Sequence, residues 1–306
     1  MNRDLQPSSA LESAALASPV RLADFKEMTK PGITLMVVLT AGLGVLLAGA
    51  ESGVFSFWLL LNTLLGTALV SAGGSALNHV LERDTDARMK RTADRPLPAG
   101  RLDPDVALLF GVVLGVSGLA YLAVAVNLLT ALLGAVAIAG YVFVYTPLKR
   151  VSSLATVIGA VPGAIPPMMG WSAVQDQLDP AAWGLFGLLF FWQMPHFLAI
   201  AWLCREDYAA AGFPMLTVDD RDGSRTARQV LLYGAALVPV SLLPSILGLT
   251  GGIYFAGALL LGLGYFGYGV VFARRRSTPA ARWLMLASIL YLPAVLLVMV
   301  VDRFAR

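Results

Sequence analysis

The sequence predicts an all-α membrane protein, a polytopic bundle of nine transmembrane helices with its N-terminus in the cytoplasm. Three observations predict it. Of the 306 residues, 58% are hydrophobic and only 13% charged, against about 25% charged in a soluble domain. The apolar residues gather into nine runs, near 31–50, 54–77, 104–124, 127–147, 153–172, 181–203, 229–249, 252–273 and 283–301, each close to the roughly 20 residues that cross a bilayer as a helix. Placing the N-terminus inside puts every one of the 22 basic residues except Arg303 and Arg306 in cytoplasmic segments, as the positive-inside rule requires.

Residues 1–20 read as a flexible cytoplasmic tail and 21–306 as a single nine-helix domain. The charged first thirty residues lack the apolar core of a signal peptide, and 21–30 fit an amphipathic interfacial helix. The same topology places two long polar segments, about 82–103 and 204–228, in the cytoplasm. The opposite side is left with short turns such as Glu51-Ser-Gly53 and Val126-Asn127. Spans this long in lipid must satisfy their own backbone groups, so a helical bundle is the expected architecture. The first four and the next four spans share a topological pattern: an acidic segment after the second span of each set and a basic end after the fourth. The fifth span concentrates Gly159, Pro162, Gly163, Pro167 and Gly170. Such residues suit close helix packing in a membrane, or a kinked helix beside a substrate cavity. The lone Cys204 excludes an intrachain disulfide. The basic residues lie in separated clusters beside spans, which is no nucleic-acid signature.

The chemistry concentrates at the end of the second span, in Asn78-His-Val-Leu-Glu-Arg-Asp-Thr-Asp86. Asn78, Glu82 and Asp86 recur every fourth residue. Each step advances the side chain by only about 40° on a helix, so the amide and both carboxylates form one stripe. Oxygen ligands of this kind suit Mg²⁺, which keeps waters and binds phosphate oxygens. Carboxylates at a span centre cost about 2.5–3.5 kcal/mol each and less at its edge, so their retention here points to function. Asp84 falls off the stripe, and His79 reads as an interface residue. Downstream, Arg91 and Arg95 offer guanidinium forks for phosphate, or act as topology determinants, in a loop stiffened by Pro96 and Pro98. Lys149 and Arg150 close the fourth span after Tyr145 and present the same choice. A Mg²⁺–diphosphate site in so apolar a chain suggests an enzyme acting on a diphosphate with a lipid tail.

Gln193 and His196 are polar residues deep in the sixth span, and such residues are functional candidates, although an interhelical hydrogen bond would also account for the histidine. If the helix continues, His196 shares a face with Asp207, eleven residues on and near 20° in azimuth, about 16 Å deeper.

Taken together, Asn78…Glu82…Asp86, Arg91-Thr…Arg95-Pro-Leu, Tyr145-Thr-Pro-Leu-Lys-Arg150, Trp192-Gln-Met-Pro-His-Phe197 and Asp207-Tyr…Met-Leu216 resemble the UbiA superfamily of intramembrane prenyltransferases. The last two segments are similar to its heme branch. The resemblance spans roughly residues 22–300. It implies nine helices around a cavity open to the cytoplasm, and transfer of farnesyl from farnesyl diphosphate to a vinyl group of heme B with addition of water. By that resemblance Asn78, Glu82, Asp86 and Asp207 are the catalytic and Mg²⁺-holding residues. Arg91, Arg95, Lys149, Arg150 and Tyr145 bind the diphosphate. We assign His196 and Gln193 as heme contacts, His196 through the iron or a propionate. The implied setting is a bacterial plasma membrane, with a heme A synthase or terminal-oxidase assembly downstream. The chain departs from the superfamily pattern in having Glu82 where many relatives have Asp, and in offering Glu206 and Asp207 without a second Asp-x-x-x-Asp. The rival functions are a prenyltransferase using another acceptor, such as a quinone precursor, a transporter, and a structural heme-binding protein.

Overall fold

The computed structural model describes residues 21–305; the tail expected over 1–20 lies outside them. Among the described residues nine helices are long and apolar enough to span a membrane, so this is an integral, multi-pass membrane protein. A short helix α1 (Leu22–Met28) precedes them. The spans are α2 (Pro31–Ser52), α3 (Phe57–Asp86), α4 (Pro104–Ala125), α5 (Leu128–Leu148), α6 (Ala155–Gln175), α7 (Pro180–Leu203), α10 (Ser224–Ile246), α11 (Gly252–Arg275) and α12 (Thr278–Phe304). Two small helices, α8 (Arg205–Ala210) and α9 (Leu216–Asp219), lie in the second long polar segment.

Sequential spans pack side by side, α12 returns to α2 to close the ring, and α2 also packs along the second half of α6. Short connections make neighbours antiparallel, as expected of a bundle. The starts and stops have local causes. Proline occupies the first helical position of α2, α4, α7 and, one residue in, α12, where its missing N–H costs nothing. Asp103, Asn127 and Asp179 accept hydrogen bonds from the first-turn amides of α4, α5 and α7, which satisfies orphan donors.

Both expectations for the fifth span are met in part. α6 is broken at Ile165, between helical segments Ala155–Ala164 and Pro166–Gln175, because the prolines interrupt the backbone ladder. Its glycines serve packing. A Cβ on Gly170 would overlap the Ala41 carbonyl oxygen, and one on Gly44 of α2 would overlap that of Pro167. Only glycine at both positions permits this approach.

Two features shape the polar end of the bundle. α3 runs nine residues past the apolar run that ended at 77, so the acidic stripe rides on the same rigid helix as the span. α5 widens into a π-helical segment, Gly140–Tyr145. Pro147 has no N–H to give to the Phe143 carbonyl, and such local widening recurs at functional sites. Helix α1 caps this end through a pair between Asp24 and Arg101, 2.9 Å apart, and through Phe25 edge-on to Phe110 at 5.0 Å. The Arg101 hydrogen bond holds the Asp24 carboxyl below its usual range against partial desolvation.

Candidate active site

The stripe exists as expected. Asn78, Glu82 and Asp86 are 1%, 4% and 0% exposed, so the amide and both carboxylates face inward from the last two turns of α3. Asp84, off the stripe, is exposed and pairs with Arg83. His79 is buried as an interface residue would be, but it stands seven residues before Asp86, within about 20° of it around the helix. Both of its ring nitrogens are buried without partners among the described residues.

Each stripe residue meets a basic side chain from a different element. Lys30 Nζ donates to Asn78 Oδ1 at 2.6 Å. Lys149 Nζ donates to Glu82 Oε1 at 2.5 Å. Arg95 Nη1 donates to Asp86 Oδ2 at 2.7 Å. The three cations come from the start of α2, the end of α5 and the loop after α3. Asn78 Nδ2 also donates to Thr146 Oγ1 at 2.9 Å, and Thr146 Oγ1 donates to the Tyr141 carbonyl at 2.8 Å, which ties the stripe to the π segment. Tyr141 and Tyr145 stack at 5.6 Å. Lys30 Nζ lies 5.9 Å from the Tyr141 ring centre and Lys149 Nζ 5.1 Å from that of Tyr145. Lys30 Nζ donates to the Tyr141 hydroxyl at 3.2 Å, whereas Lys149 lies over the Tyr145 ring, and ammonium groups are attracted to aromatic faces; the tyrosine pair thus holds both lysines at the stripe.

The two lysines respond differently to burial. Burial, reinforced by the nearby Arg95, pushes the Lys30 ammonium down to about 7. Burial also disfavours the Lys149 charge, but Tyr145 and Glu82 outweigh it and hold that ammonium above its ordinary range. Lys149 is therefore a fixed charge, whereas Lys30 is poised to gain or lose a proton near neutrality.

The remaining candidates are more scattered. Arg91 is exposed and its side chain makes no hydrogen bond or ion pair among the described residues. The Arg150 guanidinium donates to the Leu81 carbonyl on the outer side of α3. Asp207 lies across the mouth on α8, where its Oδ1 accepts the Lys90 amide at 3.2 Å. Among the described residues no three His, Cys, Asp or Glu side chains come together as a metal-holding group. The stripe supplies two carboxylates and an amide, and Asp207 stays with the facing loop. That loop packs on the first through Met89, Phe213 and Met215, and Phe213 covers Lys149 at 5.4 Å.

Deeper in the bundle, Gln193 and His196 part company. Gln193 Nε2 donates to the Leu189 carbonyl of its own helix, and its Oε1 fills the space left by Gly163 of α6. His196 turns to α12, where Nδ1 lies 2.6 Å from Ser288 Oγ. The shared face expected for His196 and Asp207 does not form, because α7 ends at Leu203 and the chain breaks direction at Cys204 before α8. An apolar groove of about 410 Å³ opens between α2, α3 and α12, lined by Met36, Leu39, Leu43, Leu64, Pro293 and Leu296 among others.

Three participants were not singled out by the sequence: Lys30 counted only among the cytoplasmic basic residues, Thr146 stood only inside the Tyr145–Arg150 segment, and Ser288 lay unremarked in the ninth apolar run. The Lys30-Pro31 step at the head of a span was the one available signal, since Lys30 takes a left-handed backbone (φ 45°) that aims its side chain inward.

This geometry, a stripe of oxygen ligands clasped by cations at the end of a nine-span bundle, coincides with a match over residues 36–292 to the model of the UbiA prenyltransferase family. The chain belongs to that family. It is 45% identical to a curated protoheme IX farnesyltransferase of Solibacter usitatus over 292 residues, covering 92% of this chain and 99% of the relative. It is 43% identical to that of Myxococcus xanthus, covering 97% and 100%. Among solved structures, a digeranylgeranylglyceryl phosphate synthase superposes with a TM-score of 0.78 at 16% identity, covering 93% of this chain and 99% of that one. A UbiA homologue of Archaeoglobus fulgidus bound to GPP and Mg²⁺ gives 0.54 at 17% identity, covering 87% and 99%. These structural likenesses establish the fold.

Proposed function

We propose that this protein transfers the farnesyl group of farnesyl diphosphate to a vinyl group of heme B, with addition of water, to form heme O. The observation that carries the reaction type is the triple clasp of Lys30, Lys149 and Arg95 on Asn78, Glu82 and Asp86. The acceptor comes from the curated relatives, which match over nearly their whole length. The positive-inside distribution favours a mouth open to the cytoplasm, and the bacterial relatives favour a plasma membrane.

The residues present fit Mg²⁺. The donors are all oxygens, and Asp86 Oδ1 is buried without a hydrogen-bond partner, an orphan that a cation would satisfy. Asn78, Glu82 and Asp86 would hold it, with waters and diphosphate oxygens completing the shell. Asp207 faces them as the acidic group of the second loop. When bound, Mg²⁺ supplies positive charge that stabilises the departing diphosphate.

The chain's own residues perform the rest. Lys149 and Arg95, each already beside a stripe oxygen, meet the diphosphate with preorganised positive charge. Preorganised charge is the largest single source of rate enhancement in such sites. Lys30 takes up a proton as the anion arrives, because a neighbouring negative charge favours its charged form. The allylic C–O bond breaks with its electron pair leaving on the diphosphate. The vinyl carbon of heme then captures the farnesyl cation, water adds to the cation left beside the porphyrin, and the proton it sheds is taken up by the departed diphosphate. Apolar spans exclude other water until that capture, and the groove beside Met36 offers the isoprenoid chain an apolar path about 9 Å from Lys30 along α2. His196 is the heme contact.

The test is an assay of purified protein with heme B, farnesyl diphosphate and Mg²⁺, read by product mass. A heme heavier by farnesyl plus hydroxyl, absent with EDTA and in Asp86→Ala, supports this reading. Bound farnesyl diphosphate without heme turnover would reject heme as the acceptor and retain the prenyl-transfer chemistry.

A further inference from the structure

Two rings of the sixth span converge on one serine of the ninth. Ser288 is fully buried on α12. Its carbonyl accepts the Trp192 indole N–H at 2.9 Å. Its Oγ lies 2.6 Å from His196 Nδ1 and 2.5 Å from the Met285 carbonyl oxygen. The Trp192 ring stacks on the imidazole, 5.3 Å between centres and 16° from parallel.

A hydroxyl has one proton and two acceptor positions. Were the Ser288 proton directed at His196, Oγ and the Met285 oxygen would face each other as two acceptors at 2.5 Å. With the proton on the Met285 oxygen, Oγ is free to accept from Nδ1–H, and all the groups are satisfied. The imidazole is thus the Nδ1–H tautomer. Its Nε2 keeps a lone pair and bonds to no other group among the described residues. The stacked indole, anchored to the same serine, blocks rotation of the ring.

We infer that Ser288 is a positioning residue for the acceptor substrate: it fixes His196 as the Nδ1–H tautomer and presents Nε2 as an electron-pair donor to heme iron. This rests on the reading of His196 as the heme contact. A hydrogen bond at one imidazole nitrogen sets both the aim and the donor strength of the other. The carbonyl of Ser288 anchors Trp192 whatever the side chain, so Ser288→Ala removes the hydroxyl's bonds to His196 and to the Met285 carbonyl and leaves the Trp192 contact between the helices.

The experiment is resonance Raman spectroscopy of the iron–histidine stretch in full-length protein loaded with ferrous heme B, together with heme titrations. The wild type is expected to show the band and His196→Gln to lose it. In Ser288→Ala the band shifts or disappears and heme affinity falls about tenfold, the lower end of the loss seen when a partner behind a metal ligand is removed. Ser288→Thr, which keeps the hydroxyl, restores the wild-type frequency. The frequency is read only from protein that has bound heme, so a partly unfolded variant cannot mimic a shift. A band present in wild type, lost in His196→Gln and unchanged in Ser288→Ala would overturn the role of Ser288 while sparing His196. No difference between wild type and His196→Gln would overturn the His196 reading and this inference with it.

Discussion

The polar mouth at the end of α3 and the interior contact between α7 and α12 solve opposite problems. At the mouth, charges are abundant and each stripe residue already faces a basic side chain, Lys30 on Asn78, Lys149 on Glu82 and Arg95 on Asp86. Inside, charges are absent, and orientation comes from neutral hydrogen bonds around Ser288. A diphosphate needs charge held in place before it arrives, and the pairing of Lys149 with Glu82 and of Arg95 with Asp86 supplies that without leaving either buried acid alone. A porphyrin needs one ring nitrogen aimed, which a single hydroxyl can do. Breaking either acid–base pair at the mouth should therefore remove both chemistry and stability, whereas removing a partner inside should change geometry first.

The largest effect is expected for Asp86→Asn. It removes a fully buried carboxylate and leaves Arg95 without its counter-charge, so farnesyl transfer should fall by about a thousandfold or more, given that electrostatic groups of this kind contribute factors of 10²–10³ singly. A variant retaining a tenth of wild-type turnover would show that the stripe is structural. Glu82→Gln comes next: it strands the buried Lys149, a loss worth about 3–5 kcal/mol in comparable buried pairs, and the thermal midpoint should drop together with kcat. If stability is untouched, Lys149 has another partner.

Lys30→Met separates substrate binding from folding. Loss of a charged contact worth about 1.5–3 kcal/mol should raise the KM for farnesyl diphosphate at least tenfold with a smaller change in kcat. Because burial depresses Lys30 to about 7, well below an unfolded lysine, holding its charge opposes folding at pH below 7. That cost disappears as pH rises from 7 towards the unfolded value. Thus Lys30→Met should melt higher than wild type at pH 6, and the gap should shrink by pH 9. Calorimetry of farnesyl diphosphate binding to wild type should also show proton uptake at pH 8 that vanishes at pH 6; equal uptake in Lys30→Met would assign it elsewhere.

Gly170→Ala tests packing away from both regions. Its methyl would collide with the Ala41 carbonyl, and overpacking typically costs about 1–3 kcal/mol, so melting should fall while the KM for diphosphate stays near wild type in the surviving protein. The smallest effect is expected for Arg150→Ala, since its guanidinium holds the Leu81 carbonyl rather than a stripe residue; activity within about threefold of wild type is the expected result, consistent with exposed changes falling within about 0.5 kcal/mol.

Much of this protein was determined by local sequence alone. Nine apolar runs of span length dictate nine helices, since lipid offers backbone groups no other partner. The four-residue recurrence of Asn78, Glu82 and Asp86 dictates one face, since helical periodicity is local. Which base meets which acid was decided by tertiary structure. Lys30 and Asn78 lie on different helices, 48 residues apart in sequence, and nothing in either neighbourhood encodes the meeting. The same holds for Ser288, 92 residues beyond His196, and for Asp207, which a helix break at Cys204 separates from the histidine's face. Periodicity specifies the direction of a side chain from its own axis; only the packing of one axis against another specifies what that side chain finds there.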